Sequence, residues 1–310
     1  AQGNIFITFC ALSKAKGMEI NMKKIKLIGL LGVLAAGALA LSACGSSAKT
    51  ADAGGKGGKN NFRTLDEIKK SGTINIGVFS DKNPFGYVDE NGEYQGYDIY
   101  FGNRLGKDLG VKINYVSTEA ANRVEYLETG KVDLILANFT VTPERAEAVD
   151  FALPYMNVGL GVISPENNKI DSLDNWNPND EMIIISGTTA EPYMIKNYPN
   201  IKLQKYDTYA NAKNALLNGS GKAWVNDNTE VLAFAKSNPG YVVGIDDLGV
   251  KDTIAPAVTK GNTTLLDWVN TEIENLGKEN FFHEDYEATL KDTYGAQYAD
   301  TLVIEGGKTN

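Results

Sequence analysis

Ala137-Asn138-Phe139-Thr140-Val141-Thr142-Pro143-Glu144-Arg145 follows the apolar run Val132–Ala137, and its reading decides the fold. The run has the length and composition of a buried strand. Thr142 is a suitable N-cap and Pro143 suits the first helical position, so a strand gives way to a helix within a few residues. Arg145 then falls in the first helical turn, where the backbone dipole disfavours a cation. An anionic ligand held by both the helix N-terminus and the guanidinium fork would offset that cost. The alternative is a surface arginine paired with Glu144, Glu147 or Asp150.

The same alternation extends in both directions. Thr64 with Asp66-Glu67 starts a short helix that Gly72 ends, Ile74–Val78 reads as a strand, and Asn91-Gly92 marks a hairpin turn between Tyr87-Val88 and Tyr94. A helix over Tyr97–Leu109, a strand over Lys112–Val116 and a helix over Arg123–Thr129 lead to the Val132–Ala137 strand. Beyond Arg145, strands are expected at Val158–Ile163, Met182–Ile185 and Lys222–Val225, and helices at Tyr209–Leu217, Thr229–Lys236 and Leu265–Leu276. The class is therefore α/β with partly parallel sheets. There are too many elements for one simple sheet, and two lobes with a ligand cleft between them would accommodate them. The sequence shows no internal repeat.

Other positions carry polar chemistry at element ends. Ile185-Ser186-Gly187-Thr188-Thr189-Ala190-Glu191-Pro192 leaves a strand, turns on glycine and enters a helix, which makes a second anion site or a simple helix cap. Asp227 follows another buried strand and suits either an ammonium partner or a turn. Arg123 opens a helix, again an unfavourable place for a cation. Phe79 and Phe85 flank Ser80-Asp81-Lys82-Asn83-Pro84, with Phe85 assigned to the core and Phe79 to a ligand. His283 is the sole histidine and is taken as structural, so no metal cluster and no cofactor are expected.

The N-terminal region has a different composition. Lys23, Lys24 and Lys26 precede the apolar run Leu27–Leu41, followed by Ser42, Ala43 and Cys44, in the order of a signal peptide over residues 22–43. Residues 1–21 have no place in that scheme, and Met22 is read as the true start. Leu41-Ser42-Ala43-Cys44 resembles the bacterial lipobox, which implies cleavage before Cys44 and lipidation of its thiol. Residues 44–61 then form the lipidated cysteine and a flexible tether rich in Gly, Ser and Ala. Cys10 and Cys44 are the only cysteines, so the folded part has no disulfide or thiol nucleophile. The chain carries 30 basic and 39 acidic residues, and residues 1–43 hold five Lys and one Glu, so the remainder is still more acidic. Such a surface excludes nucleic acid as a partner and leaves membrane attachment to the lipid.

Gly96-Tyr97-Asp98, Val132-Asp133, the stretch from Ala137 to Arg145, Asp150-Phe151, Pro154-Tyr155 and Gly187-Thr188-Thr189 together resemble the family 3 extracellular solute-binding proteins of polar amino-acid ABC importers. The resemblance implies a two-lobed periplasmic-binding-protein fold of type II, with two mixed sheets flanked by helices. Lobe 1 would span 62–156 and 256–310 and lobe 2 would span 157–255, with crossovers near Tyr155–Gly159 and Lys251–Pro256. It further implies that Arg145 holds the ligand α-carboxylate with Thr140, Thr188 and Thr189, and that Asp227 holds the α-ammonium with Thr140 and Asn138. Phe79, Ser80, Lys82, Ala120, Ala121, Arg123, Phe139 and Tyr206 would contribute to the pocket.

Asn122-Arg123, Gly86-Tyr87-Val88-Asp89, Phe281-Phe282-His283 and Val303-Ile304-Glu305-Gly306-Gly307 are most similar to the cysteine-binding branch, which implies cysteine or cystine as ligand. Arg123 keeps glutamate and aspartate as alternatives. The partner implied is an ABC permease, with the binding protein acting as an anchored monomer outside the cytoplasmic membrane. A dehydratase-like enzyme on the same fold would need an acid in the cleft, for which Glu119, Glu125 and Glu191 are the candidates. A sensory or adhesive lipoprotein is the remaining alternative.

Overall fold

The computed structural model describes residues 61–309, so the expected signal peptide, Cys44 and the tether up to Asn60 lie outside the described residues. The first element confirms its sequence signals. Thr64 and Glu67 form a reciprocal capping box on helix Leu65–Ser71, and Gly72 closes it in the left-handed conformation.

Two five-stranded sheets follow, with matching internal order. In the first, Lys112–Ser117, Thr73–Val78 and Leu134–Ile135 run parallel, and Ala257–Thr259 and Val149–Phe151 complete the sheet. In the second, Lys202–Tyr206, Glu181–Ile185 and Ala223–Asp227 run parallel, and Leu160–Pro165 and Tyr241–Ile245 complete it. The fourth strand of each sheet is antiparallel to its neighbours. Each of these fourth strands follows directly from a crossing segment. Met156–Val158 leads into Leu160–Pro165, Asp252–Ile254 leads into Ala257–Thr259, and the two crossing segments pair antiparallel.

Parallel neighbours need crossover connections, and helices supply them. Tyr97–Leu109 connects the first two strands of the first sheet, and Ala190–Asn197 and Tyr209–Leu217 serve the second sheet. Helix Thr263–Lys278 buries Leu265, Val269, Ile273 and Leu276, a helical stripe, in the apolar cluster that also holds Ile74, Ile76 and Val78. In the second sheet Met182–Ile185 is continuously buried, as a strand covered on both faces must be.

Some boundaries differ from the sequence expectation. The apolar run Val132–Ala137 is paired as strand only over Leu134–Ile135, because the chain turns out of the sheet at Asn138, whose φ is +44°. The Val158–Ile163 strand divides at Gly159 into Met156–Val158 and Leu160–Pro165. A Cβ at Gly159 would come within 2.9 Å of the Val250 carbonyl oxygen, so the close approach of the two crossing chains requires glycine there.

One buried carboxyl outside the cleft makes a stability prediction. Asp285 Oδ1 accepts from Thr289 Oγ1 at 3.0 Å, while Oδ2 has no partner. Burial pushes its carboxyl well above the usual range, and the Asp98 charge adds to that. A folded-state pKa above the unfolded value of about 3.9 means that stability is lost as pH rises beyond it. Asp285→Asn should therefore melt close to wild type at pH 4 and above it at pH 7; thermal denaturation at the two pH values checks this.

Candidate functional site

In open α/β sheets the carboxyl ends of the parallel strands face the crevice where ligands bind. The residues singled out from sequence follow these ends in both sheets. Phe79 and Lys82 come after Thr73–Val78, Arg123 after Lys112–Ser117, and Asn138, Phe139, Thr140 and Arg145 after Leu134–Ile135. From the second sheet come Gly187-Thr188-Thr189 after Glu181–Ile185, and Asp227 as the last residue of its strand.

Lys82 and Asp227 join the two sets. The Lys82 side chain is 0% exposed, and its ammonium donates to Asp227 Oδ2 at 2.6 Å and Asn138 Oδ1 at 2.5 Å. The rings of Phe79, Phe85 and Tyr209 surround the ammonium, with centroids at 5.7, 5.3 and 4.9 Å. Burial opposes the Lys82 charge, but the Asp227 carboxylate, together with Tyr209 and the Glu230 carboxylate, outweighs it and holds the pKa above its ordinary value. Asn138 is fixed from behind, since its N–H donates to Asp98 Oδ2 at 2.9 Å while Tyr155 Oη donates to Asp98 Oδ1 at 2.5 Å. Burial pushes Asp98 up to about 6.

The two arginines are held by backbone carbonyls. Thr142 caps the Arg145 N–H at 3.2 Å and Pro143 occupies the first turn, as the sequence implies. Arg145 donates to the carbonyls of Thr140 at 2.7 Å and Gly187 at 2.8 Å. It forms no salt bridge among the described residues, and Asp150, one of its alternative surface partners, pairs with Lys260. The helix Pro143–Ala148 has only six residues, so the two carbonyls, rather than a long dipole, govern this cation. Arg123 is buried and donates to the carbonyls of Ala120, Ala137, Asn138 and Gly187 at 3.0–3.2 Å. Both guanidiniums lie over Phe139, at 4.8 Å for Arg145 and 4.3 Å for Arg123. Burial pushes Arg123 down to about 10, and burial together with the Arg123 charge pushes Arg145 down to about 9. Two cations thus converge on one neutral oxygen, that of Gly187.

The Gly187 turn is itself tightly built. Its φ is +78° and a Cβ would meet Ala121 Cα at 2.5 Å. Thr188 Oγ1 donates to the Ile185 carbonyl at 2.7 Å, and Thr189 makes no side-chain cap on helix Ala190–Asn197. A cavity of about 660 Å³ opens here, lined by Thr142, Arg145, Gly187, Thr188, Thr189, Tyr193 and Asp252 among others. Arg145, Thr188 and Thr189 face this cavity. Asp227, Asn138, Phe79 and Arg123 do not line it and pack as a buried group. Thr140 is buried and presents its carbonyl to Arg145.

Some expectations acquire different content. The resemblance marks Lys82 only as a pocket residue, and nothing in the sequence shows that it is the ion partner of Asp227. The Gly187 carbonyl is equally silent in sequence, because a backbone oxygen has no letter. His283 bridges Glu305 at 2.8 Å and Asp300 at 3.3 Å, away from the cleft residues. Among the described residues no group of His, Cys, Asp and Glu could hold a metal ion.

Residues 74–289 match the bacterial extracellular solute-binding proteins, family 3. The chain belongs to this family. Among solved structures it is similar to the solute receptor for L-cysteine of Neisseria gonorrhoeae, at 49% identity and a TM-score of 0.77 over 78% of this chain and 100% of that one. The cysteine-binding protein of Campylobacter jejuni is similar at 49% identity and a TM-score of 0.75, over 78% of this chain and 98% of that one. A curated relative, the ABC transporter glutamine-binding protein of Bacillus subtilis, is 28% identical over 74% of this chain and 85% of its own length.

Arg123 yields a direct test of the packing. Arg123→Met leaves the Ala120, Ala137 and Asn138 carbonyls without this donor, while Gly187 keeps Arg145, and should cost about 3 kcal/mol or more, since each orphaned buried acceptor costs about 1–3 kcal/mol. Arg123→Lys should recover little, because a point ammonium cannot span the fork's acceptors. Urea denaturation of the three proteins measures both.

Proposed function

We propose that this chain is the substrate-binding component of an ABC amino-acid importer and that it takes cysteine or cystine between its two sheets. The observation that carries this reading is the placement of Arg145 and Asp227 at strand ends of opposite sheets, with Lys82 reaching across to Asp227. A zwitterion removed from water needs both its charges paired, and these two residues provide one partner of each sign.

In this reading Arg145 exchanges its carbonyl acceptors for the ligand α-carboxylate, assisted by Thr140, Thr188 and Thr189. Asp227 receives the α-ammonium beside Asn138, and Phe79, Phe139 and Arg123 wall the pocket. Closure takes place about the paired crossing segments, between lobes at 62–156 with 256–310 and at 157–255. Cysteine is preferred as the ligand because the two proteins 49% identical to this chain are named for it, whereas the glutamine-binding relative is 28% identical. Glutamate or aspartate is the alternative, raised by Lys82 and Arg123.

Signal cleavage and lipidation at Cys44 would anchor the protein outside the cytoplasmic membrane as a monomer, with the acidic tethered domain kept near its permease. No helix among the described residues is long and apolar enough to cross a membrane. Catalysis of the dehydratase kind is disfavoured by Glu191. Despite the opposing effect of burial, hydrogen bonds from Lys205 and the Gly187 N–H hold its carboxyl below the usual range, the wrong direction for a general acid.

Calorimetry with a panel of L-amino acids, including cystine and glutamate, tests the ligand class. Arg145→Ala or Asp227→Ala should weaken binding by about 2–5 kcal/mol, because each leaves a desolvated ligand charge unpaired; unchanged affinity would remove both assignments. For the anchor, Cys44→Ala should move the protein from the membrane fraction to the soluble fraction of the host cell, and unaltered fractionation would refute lipidation there.

A further inference from the structure

Asp252 opens the crossing segment Asp252–Ile254, where it pairs with Val158 of the other crossing segment. The same segment is bonded to the stretch that leads into Arg145. Thr140 pairs with Ile254, the Val141 N–H donates to the Thr253 carbonyl at 2.9 Å, and the Ala255 N–H donates to the Phe139 carbonyl at 3.2 Å. The backbone therefore fixes Asp252 beside the strand end that supplies Thr140 and Arg145. Its side chain is half-buried and lines the cavity of about 660 Å³ together with Arg145, Thr188 and Thr189.

The Asp252 carboxylate has no hydrogen-bond donor and no ion-pair partner among the described residues. Burial pushes it above its usual range, the Arg145 charge opposes that rise, and the Asp227 carboxylate adds to it. Asp252 is thus within electrostatic range of both residues that would hold the ligand backbone. The other charged side chains around the cavity are engaged or solvated. Glu191 accepts from Lys205 and the Gly187 N–H, and Glu144 and Lys196 are exposed. Asp227, by contrast, lies off the cavity with Oδ2 taken by Lys82. A half-buried anion without a donor carries a desolvation cost that a ligand cation offsets.

We propose that Asp252 is a further ligand-binding residue, which receives the α-ammonium of the amino acid held at Arg145 and shares that ammonium with Asp227. This rests on the reading that Arg145 takes the α-carboxylate. Arg145 and Asp252 line one cavity with opposite charges, the complement of a zwitterion. An ammonium has three N–H donors, enough to serve both carboxylates. Because Asp252 belongs to a crossing segment, the contact ties the ligand to the ladder that joins the two sheets as well as to the strand ends.

The test is calorimetry with L-cysteine under reducing conditions on the wild type and on Asp252→Asn, Asp252→Ser and Asp252→Glu. The two neutral variants should bind about tenfold or more weaker than wild type, the loss expected of a charge-assisted hydrogen bond. Asp252→Glu keeps the charge and should recover most of that affinity. Without ligand all three should melt close to wild type, since the carboxylate bonds no other described group; either neutral variant decides the matter if the other does not fold. The sign separates a contact from a remote effect. If Asp252 only competed with the ligand carboxylate for Arg145, its neutralisation would tighten binding. Unchanged or tighter binding in the neutral variants would overturn the role of Asp252 and leave the amino-acid reading intact. Equal loss in all three variants would make Asp252 a packing residue and overturn the proposal as well. A wild-type protein that binds no L-amino acid would overturn both readings.

Discussion

The ion pair between Lys82 and Asp227 ties the short strand Asp81–Lys82, just after Thr73–Val78 of the first sheet, to the terminal residue of a strand in the second. Neither residue would be stable there alone. A lysine with no exposed surface needs a carboxylate, and a carboxylate at the end of a buried strand needs a cation. The rest of the site is arranged around this constraint. Asn138 shares the ammonium from a left-handed backbone, and Asp98 and Tyr155 fix Asn138 in turn.

The fold places this pair at a junction. Each sheet has three parallel strands whose carboxyl ends reach the cleft, and each receives its fourth, antiparallel strand directly from a crossing segment. The two crossing segments pair with each other, so a short antiparallel ladder joins the two sheets. The two arginines add a second connection across the cleft, since Arg123 and Arg145 of the first body both donate to the Gly187 carbonyl of the second. Carbonyls satisfy hydrogen bonding without neutralising charge, so burial, joined at Arg145 by the Arg123 charge, holds both guanidiniums below their ordinary range. A carboxylate would satisfy both requirements.

Much of this was legible in the sequence where the signal is local. Thr64 with Glu67, Gly72, Asn91-Gly92 and Thr142-Pro143 each act within a few residues of themselves, and each appears where expected. The Val132–Ala137 run was less well defined, because hydrophobicity reports burial and not where pairing stops; the turn at Asn138 ends it early. Lys82 was legible as a pocket residue by resemblance, but its ion pair spans 145 positions and leaves no local trace. The convergence on Gly187 was hidden for another reason: its partners are 42 and 64 positions away and its acceptor is backbone. Composition and order of residues alone speak for Cys44.

A crystal structure of the protein with L-cysteine bound tests the central claim most directly. The account predicts the α-carboxylate on the Arg145 guanidinium and the ammonium on Asp227. Cysteine seated elsewhere, with Arg145 still on the Thr140 and Gly187 carbonyls and Asp227 bonded to Lys82 alone, would contradict it.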